Sequence, residues 1–241
     1  MNASIGRILF LSLVICLSAC AGAKVSDETQ SAPAGTASRP SQIVIYPFAV
    51  DANDVTLNQS IVQRAYRNMS GANQNASQEK IATDTASNVC LSVAANLTAK
   101  GYKAVCLQRG TPAGGENPLI VDGEFTDISE GNRLRRLVIG FGAGASTLDA
   151  AVHIYQRTEA GSAPLIDFST HADSGKMPGA AIMGPAGAVA GGSAAVVVGA
   201  NAAVGGAKTY TSATSYLADK TATQITDVIT KYYEQQGWTA S

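Results

Sequence analysis

Hydrophobic positions along this chain fall into short β-branched runs and, at two places, into four-residue spacings. Residues 42–50 (QIVIYPFAV) read as a first strand, with Pro47 near an end or an edge because proline donates nothing to a ladder. Ile81, Thr85, Val89, Val93 and Leu97 recur every four residues and predict a helix from a cap at Ser77, with Glu79 in its first turn and a stop at Lys100-Gly101. Residues 102–107 follow as a second strand, so strand, helix and strand form a βαβ unit. Residues 119–128 alternate as a third strand, and 147–157 and 164–172 pair across the turn-like stretch 158–162. A last helix, 211–236, places Leu217, Thr221, Ile225, Val228, Ile229 and Tyr232 on one side and ends at Gly237. Residues 51–75 are Asn-rich and polar, a loop with one helical turn around Ile61 to Tyr66. The order β-α-β-β-β-β-α predicts a single α/β domain with a mixed sheet over residues 42–241.

The N-terminal pattern is of another kind. Residues 8–17 are apolar and follow Arg7, the layout of a signal-peptide core and too short for the roughly 20 residues that span a bilayer. Leu17-Ser18-Ala19-Cys20 resembles the bacterial lipobox. That resemblance implies a signal peptide over residues 1–19 and a diacylglycerol and an N-acyl chain on Cys20. Ala21, rather than Asp, after that cysteine implies the outer membrane by the sorting rule of proteobacterial lipoproteins. An ordinary cleaved signal with an incidental Cys20 is the plainer alternative. Residues 20–41, rich in Ala, Ser, Thr, Gly and Pro without hydrophobic periodicity, read as a lipidated flexible tether.

A net charge of −1 and a pI near 6.1 exclude the basic field of a nucleic-acid binder. Charged residues make up 15% of the chain, below the roughly 25% of an average domain. Part of the chain is therefore neither core nor charged surface. Of four cysteines, Cys16 and Cys20 belong to the export signal. Cys90, on the first helix, and Cys106, on the strand after it, form a disulfide in an oxidising compartment or remain two buried thiols. Their spacing, without C-x-x-C or a histidine cluster, gives no metal site.

Two glycine-rich interruptions account for the unusual composition. Residues 130–146 carry Arg133, Arg135 and Arg136 ahead of Gly140-Phe-Gly-Ala-Gly144, but lead into a strand and match neither a P-loop nor a dinucleotide turn. With a turn near Glu130-Gly131, Arg136 falls opposite Glu124 in a hairpin. The second interruption, 177–207, lies between Lys176 and Lys208 with no charge inside. Gly187, Gly191, Ala195, Gly199 and Ala203 repeat every four residues there, a small-xxx-small face for close helix packing. As a helix, 186–207 would span about 33 Å, close to a bilayer core. Packing on the domain and insertion in a membrane both remain open. His153 and His171 fall almost opposite each other across a hairpin with its turn centred near Gly161, with Asp149, Asp167 and Asp173 near, and read as exposed strand residues rather than ligands. Asp122 and Glu124 share one strand face as a solvated pair. G-x-S-x-G is missing, no nucleophile–base pair is legible, and no catalytic residue and no cofactor beyond the acyl groups is expected.

Val121-Asp-Gly-Glu-Phe-Thr-Asp-Ile128, Gly131-Asn-Arg133 with Arg136, and Ile139-Gly-Phe-Gly-Ala-Gly-Ala-Ser146 resemble a bacterial lipoprotein family known only as domain of unknown function forty-four ten. The family name implies no activity. A weaker likeness is to the curli secretion-channel lipoprotein and the lipoprotein activators of cell-wall synthases, which share an acylated N-terminus and a βαβ-type periplasmic domain. Two insertions of the channel protein's domain become membrane hairpins, but the alternation and aromatic girdles of a barrel are missing here. The expectation is a non-enzymatic outer-membrane lipoprotein whose periplasmic domain docks envelope partners. The alternative is a self-associating lipoprotein whose glycine-rich segment enters the membrane as part of a pore or secretion complex.

Overall fold

Alternation from residue 119 to residue 173 becomes a three-stranded antiparallel ribbon, and the other elements attach to its edges and to one face. The computed structural model describes residues 23–31, 37–57, 64–65, 68–69, 71, 73–131, 144–159, 161–174 and 205–239. In chain order these form β1 (Ala23–Gln30), β2 (Ile43–Ile45), a 3-10 turn (Ala52–Asp54), β3 (Val55–Thr56), α1 (Gln74–Ala99), β4 (Ala104–Cys106), β5 (Leu119–Ser129), β6 (Thr147–Thr158), β7 (Gly161–Asp173) and α2 (Gly205–Gln235). The strands make one mixed seven-stranded sheet in the order β1-β7-β6-β5-β2-β4, with β3 also on β5. The α/β class and the mixed sheet are as the alternation and the two helical periods predict.

The βαβ unit sets the parallel half. α1 carries the chain back so that β4 lies parallel to β2, Ile43 beside Ala104, while β5 lies parallel on β2's other side. Pro47 has no N–H, and β2 stops at Ile45 ahead of it. The same edge of β5 is then followed discontinuously, through a bridge from Ala49 to Glu124 and by β3 beside Ile128 and Ser129. The polar loop expected over 51–75 thus contains a short strand. Cys90 on α1 and Cys106 on β4 are disulfide-bonded, with S–S 2.03 Å and Cα atoms 5.6 Å apart.

Both helices lie on one face of the sheet and pack against each other. Val89, Val93 and Leu97 of α1 and Ala218, Ala222, Ile225 and Ile229 of α2 are fully or almost fully buried over Ile43, Ile45, Leu119, Val121, Val152, Ile154 and Phe168. Each large aliphatic side chain buried there contributes roughly 1.5–3 kcal/mol. Ser92 Oγ donates to Asp219 Oδ1 at 2.8 Å, tying the helices at the surface.

Three expectations are corrected. Ala23–Gln30, taken with residues 20–41 as a tether, is instead an edge strand antiparallel to β7. Its ladder is made by backbone groups, and among its described side chains Val25 alone packs toward the core, so it carries no hydrophobic alternation to read. α1 is capped by Asn73, whose side chain accepts from the Ala76 N–H at 2.7 Å, rather than by Ser77, whose hydroxyl donates to the Asn73 carbonyl. α2 begins at Gly205, so residues 205–207 of the glycine-rich stretch belong to it. Cys20 and Gly187, Gly191, Ala195, Gly199 and Ala203 lie outside the described residues. Of the turn expected around Ile61 to Tyr66, Arg64 and Ala65 are described, and both are helical. Among the described residues, no helix is long and apolar enough to cross a membrane.

The disulfide closes a loop with a sequence separation of 16. Replacing both cysteines by alanine should cost about 3 kcal/mol, the chain-entropy value for such a loop. A lower urea midpoint than that of oxidised wild type, with a slope at least as steep because the unfolded chain without the cross-link is more exposed, is the expected result.

Candidate functional site

With both helices on one side, every second residue of β5, β6 and β7 points away from them. This helix-free face carries Asp122, Glu124 and Asp127 from β5, Asp149, His153, Tyr155 and Arg157 from β6, and Asp167, His171 and Asp173 from β7. The register lines them up in rows: Asp122 beside His153 beside Asp167, and Asp127 beside Asp149 beside His171. Directly opposed carboxylates such as Asp127 and Asp149 repel. Local partners offset this, since Thr147 Oγ1 donates to Asp127 Oδ2 at 2.7 Å and His171 Nδ1 lies 2.5 Å from Asp149 Oδ1. His171 Nε2 is 3.7 Å from Asp173 Oδ2, and His153 Nδ1 is 2.6 Å from Asp167 Oδ1.

The two histidines are therefore not opposite one another. The β6–β7 loop is shorter than expected, with Thr158 beside Gly161, which pairs His153 with Asp167 and His171 with Asp149. Among the described residues, no group of three or more His, Cys, Asp or Glu side chains is disposed to hold a metal ion. Glu124 lies beside Ala151 rather than Arg136, because the strand returning along β5 is β6. Arg136 is outside the described residues.

Toward the Leu119 end, the helix-free face is roofed. Val44 and Ile120 alternate with core residues, point away from the helices, and are nonetheless almost wholly buried. The connection from β4 to β5 crosses here. Tyr46 donates its hydroxyl to the Thr111 carbonyl at 2.7 Å, and Arg109 Nε donates to the Pro47 carbonyl at 2.7 Å. Between this connection and the strands lies a cavity of about 380 Å³, lined by Tyr46, Arg109, Pro112, Asp122, Tyr155 and Arg157 among others. Arg109 Nη2 donates to Asp122 Oδ1 at 2.5 Å and to the Gly123 carbonyl at 3.1 Å, and the Gly123 N–H donates to the same Asp122 oxygen at 2.7 Å. Burial, reinforced by the Asp122 carboxylate and opposed by Arg157 and Arg109, raises the Tyr155 phenol above its ordinary range, so it stays a hydrogen-bond donor. Asp122 is thus paired, not solvated. Arg109 is 13 positions away in a loop, and no periodicity announces that contact.

The opposite end of the sheet gathers the other sequence features. Ser129, Thr147 and Asp173 are register partners there, and they are the strand ends from which residues 130–146 and 174–204 depart. β1 starts at the same end, with Ala23 beside Ala172. The roots of the two glycine-rich segments are tied together: Ser146 Oγ donates to the Glu130 carbonyl at 2.7 Å, and the Ser174 N–H to the Ser146 carbonyl at 3.0 Å. Gly131 has φ +65°, and a Cβ there would meet the carbonyl oxygens of Gly144 and Ala145, so the turn out of β5 requires glycine.

Fold and surface together define a two-layer α/β domain with helices on one side and an open, charged sheet on the other. The chain belongs to the family described as domain of unknown function DUF4410, whose model matches residues 43–191. No curated protein sequence matches it. Among solved structures, the PelC dodecamer of Paraburkholderia phytofirmans is similar at 11% identity and a TM-score of 0.34, covering 83% of this chain and 97% of that one. A point variant of the same PelC dodecamer is similar at 10% identity and a TM-score of 0.32, with the same coverage.

Gly123 faces the core beneath this site. A Cβ at that position would run into the Ala151 carbonyl oxygen and approach the Phe48 ring at 3.1 Å. Gly123→Ala should lower stability by about 1–3 kcal/mol, the usual cost of overpacking. A thermal melt beside wild type checks this, the expected outcome being a lower Tm.

Proposed function

We propose that this protein is a non-enzymatic outer-membrane lipoprotein that presents its α/β domain to envelope partners from a lipid anchor on Cys20. The observation that carries this reading is the gathering of features at one sheet end. β1 starts at Ala23, three positions after the lipobox cysteine, and both glycine-rich segments leave beside it. Three residues reach at most about 10 Å. An anchor that close commits this end of the sheet to the membrane and turns the Leu119 end toward the periplasm. A Cys90–Cys106 disulfide suits that oxidising compartment. The partner that fits the helix-free face beyond the roofed end is basic, since Glu124, Asp127, Asp149, Asp167 and Asp173 outnumber its cations.

A second reading is favoured by the same roots: with no charge from 177 to 207, the segment enters the membrane and supports self-association in a pore or secretion complex. One experiment separates the two. Residues 1–20 are replaced by a fully cleaved, non-lipid signal, and membranes are extracted at alkaline pH. Release of the protein into the soluble periplasmic fraction is expected if Cys20 alone anchors it. Retention in the membrane pellet would overturn that and put insertion first.

A further inference from the structure

We propose that the cavity at the Leu119 end of the helix-free face binds a small ligand through its carboxylate, held by Arg109 and Arg157 between the rings of Tyr46 and Tyr155. The inference is independent of the anchor.

A guanidinium has five N–H donors. Three of Arg109's are spent on Pro47, Asp122 and Gly123, which fix its plane and leave the two on Nη1. The Arg157 guanidinium, on the rim, has no hydrogen-bond or ion-pair partner among the described residues, and the Tyr155 hydroxyl has no hydrogen-bond partner there. Tyr46 donates its proton to Thr111 and can still accept. The cavity is thus lined by unspent donors, with aromatic walls beside them. Its volume of about 380 Å³ suits a ligand of sugar or amino-acid size.

Charge decides which oxyanion fits. Arg109 and Arg157 against Asp122 leave one net positive charge. A carboxylate neutralises it and can take paired N–H donors from a guanidinium. A phosphate dianion would leave a net negative charge beside the Asp122 carboxylate. The site therefore discriminates by valence and shape.

The test titrates the full-length protein in detergent with benzoate, glucuronate, their neutral counterparts benzamide and glucose, and inorganic phosphate, following binding by ligand-observed NMR and calorimetry. Saturable one-to-one binding of a carboxylate probe is expected, at least tenfold tighter than its neutral counterpart and than phosphate. Arg157→Gln, at an exposed position that leaves the fold intact, should weaken it at least tenfold, and Tyr155→Phe severalfold. Equal binding of charged and neutral probes, tighter binding of phosphate, no saturable binding of either carboxylate, or an unchanged affinity in Arg157→Gln would each overturn the proposal. A matching circular dichroism spectrum and Tm for each variant separate lost contacts from lost structure.

Discussion

The helix-covered face and the open face both depend on the antiparallel register of β5, β6 and β7. Side chains in a strand alternate with a period of two, so a slip of one residue would exchange the helix-covered and open faces along its whole length. Leu148, Ala150, Val152 and Ile154 go under the helices, and Asp149, Ala151, His153 and Tyr155 go out. The apolar set pins the polar set. Once burial has chosen the register, Asp149 must lie beside His171 and His153 beside Asp167. The open face is ordered because the closed face is packed.

Much of this was legible in the chain, for a physical reason. Elements stabilised by burying one face announce themselves by periodicity, as α1 does through Val89, Val93 and Leu97, and β6 through its alternation. Elements held by backbone hydrogen bonds at an edge do not. Ala23–Gln30 pairs with β7 through main-chain groups while exposing most of its side chains, and Val55–Thr56 adds only two residues to β5. Their sequences look like loop because their stabilisation is not written in side chains. The same holds for Asn73, which caps α1 by one hydrogen bond that Ser77 could have made equally well from sequence alone.

The cavity was illegible for a different reason. Tyr46, Arg109, Asp122, Tyr155 and Arg157 come from four stretches, and what unites them is a loop folding back over a sheet. Paired carboxylates on β5 were visible as Asp122 and Glu124, yet their fates diverge: Asp122 is locked to Arg109 and the Gly123 amide, while Glu124 lies exposed beside Ala151. Both are carboxylates, so charge does not distinguish them. Position relative to the β4–β5 connection does.

The disulfide and this connection act on the same strand from opposite sides. β4 is only three residues long and sits at a sheet edge, where so short a strand is weakly held. Cys106 fastens it to α1, and the chain leaving it is held to β2's flank by the Tyr46 and Arg109 hydrogen bonds. An edge strand clamped in this way can carry a rigid roof over the Leu119 end. Rigidity there matters because a guanidinium already fixed by three acceptors loses little freedom when a further oxyanion arrives, so binding energy is not consumed in ordering it. The two ends of the sheet thus differ in kind. One holds the chain departures that lead to the glycine-rich segments and the N-terminus, and the other holds side chains placed in advance of a ligand.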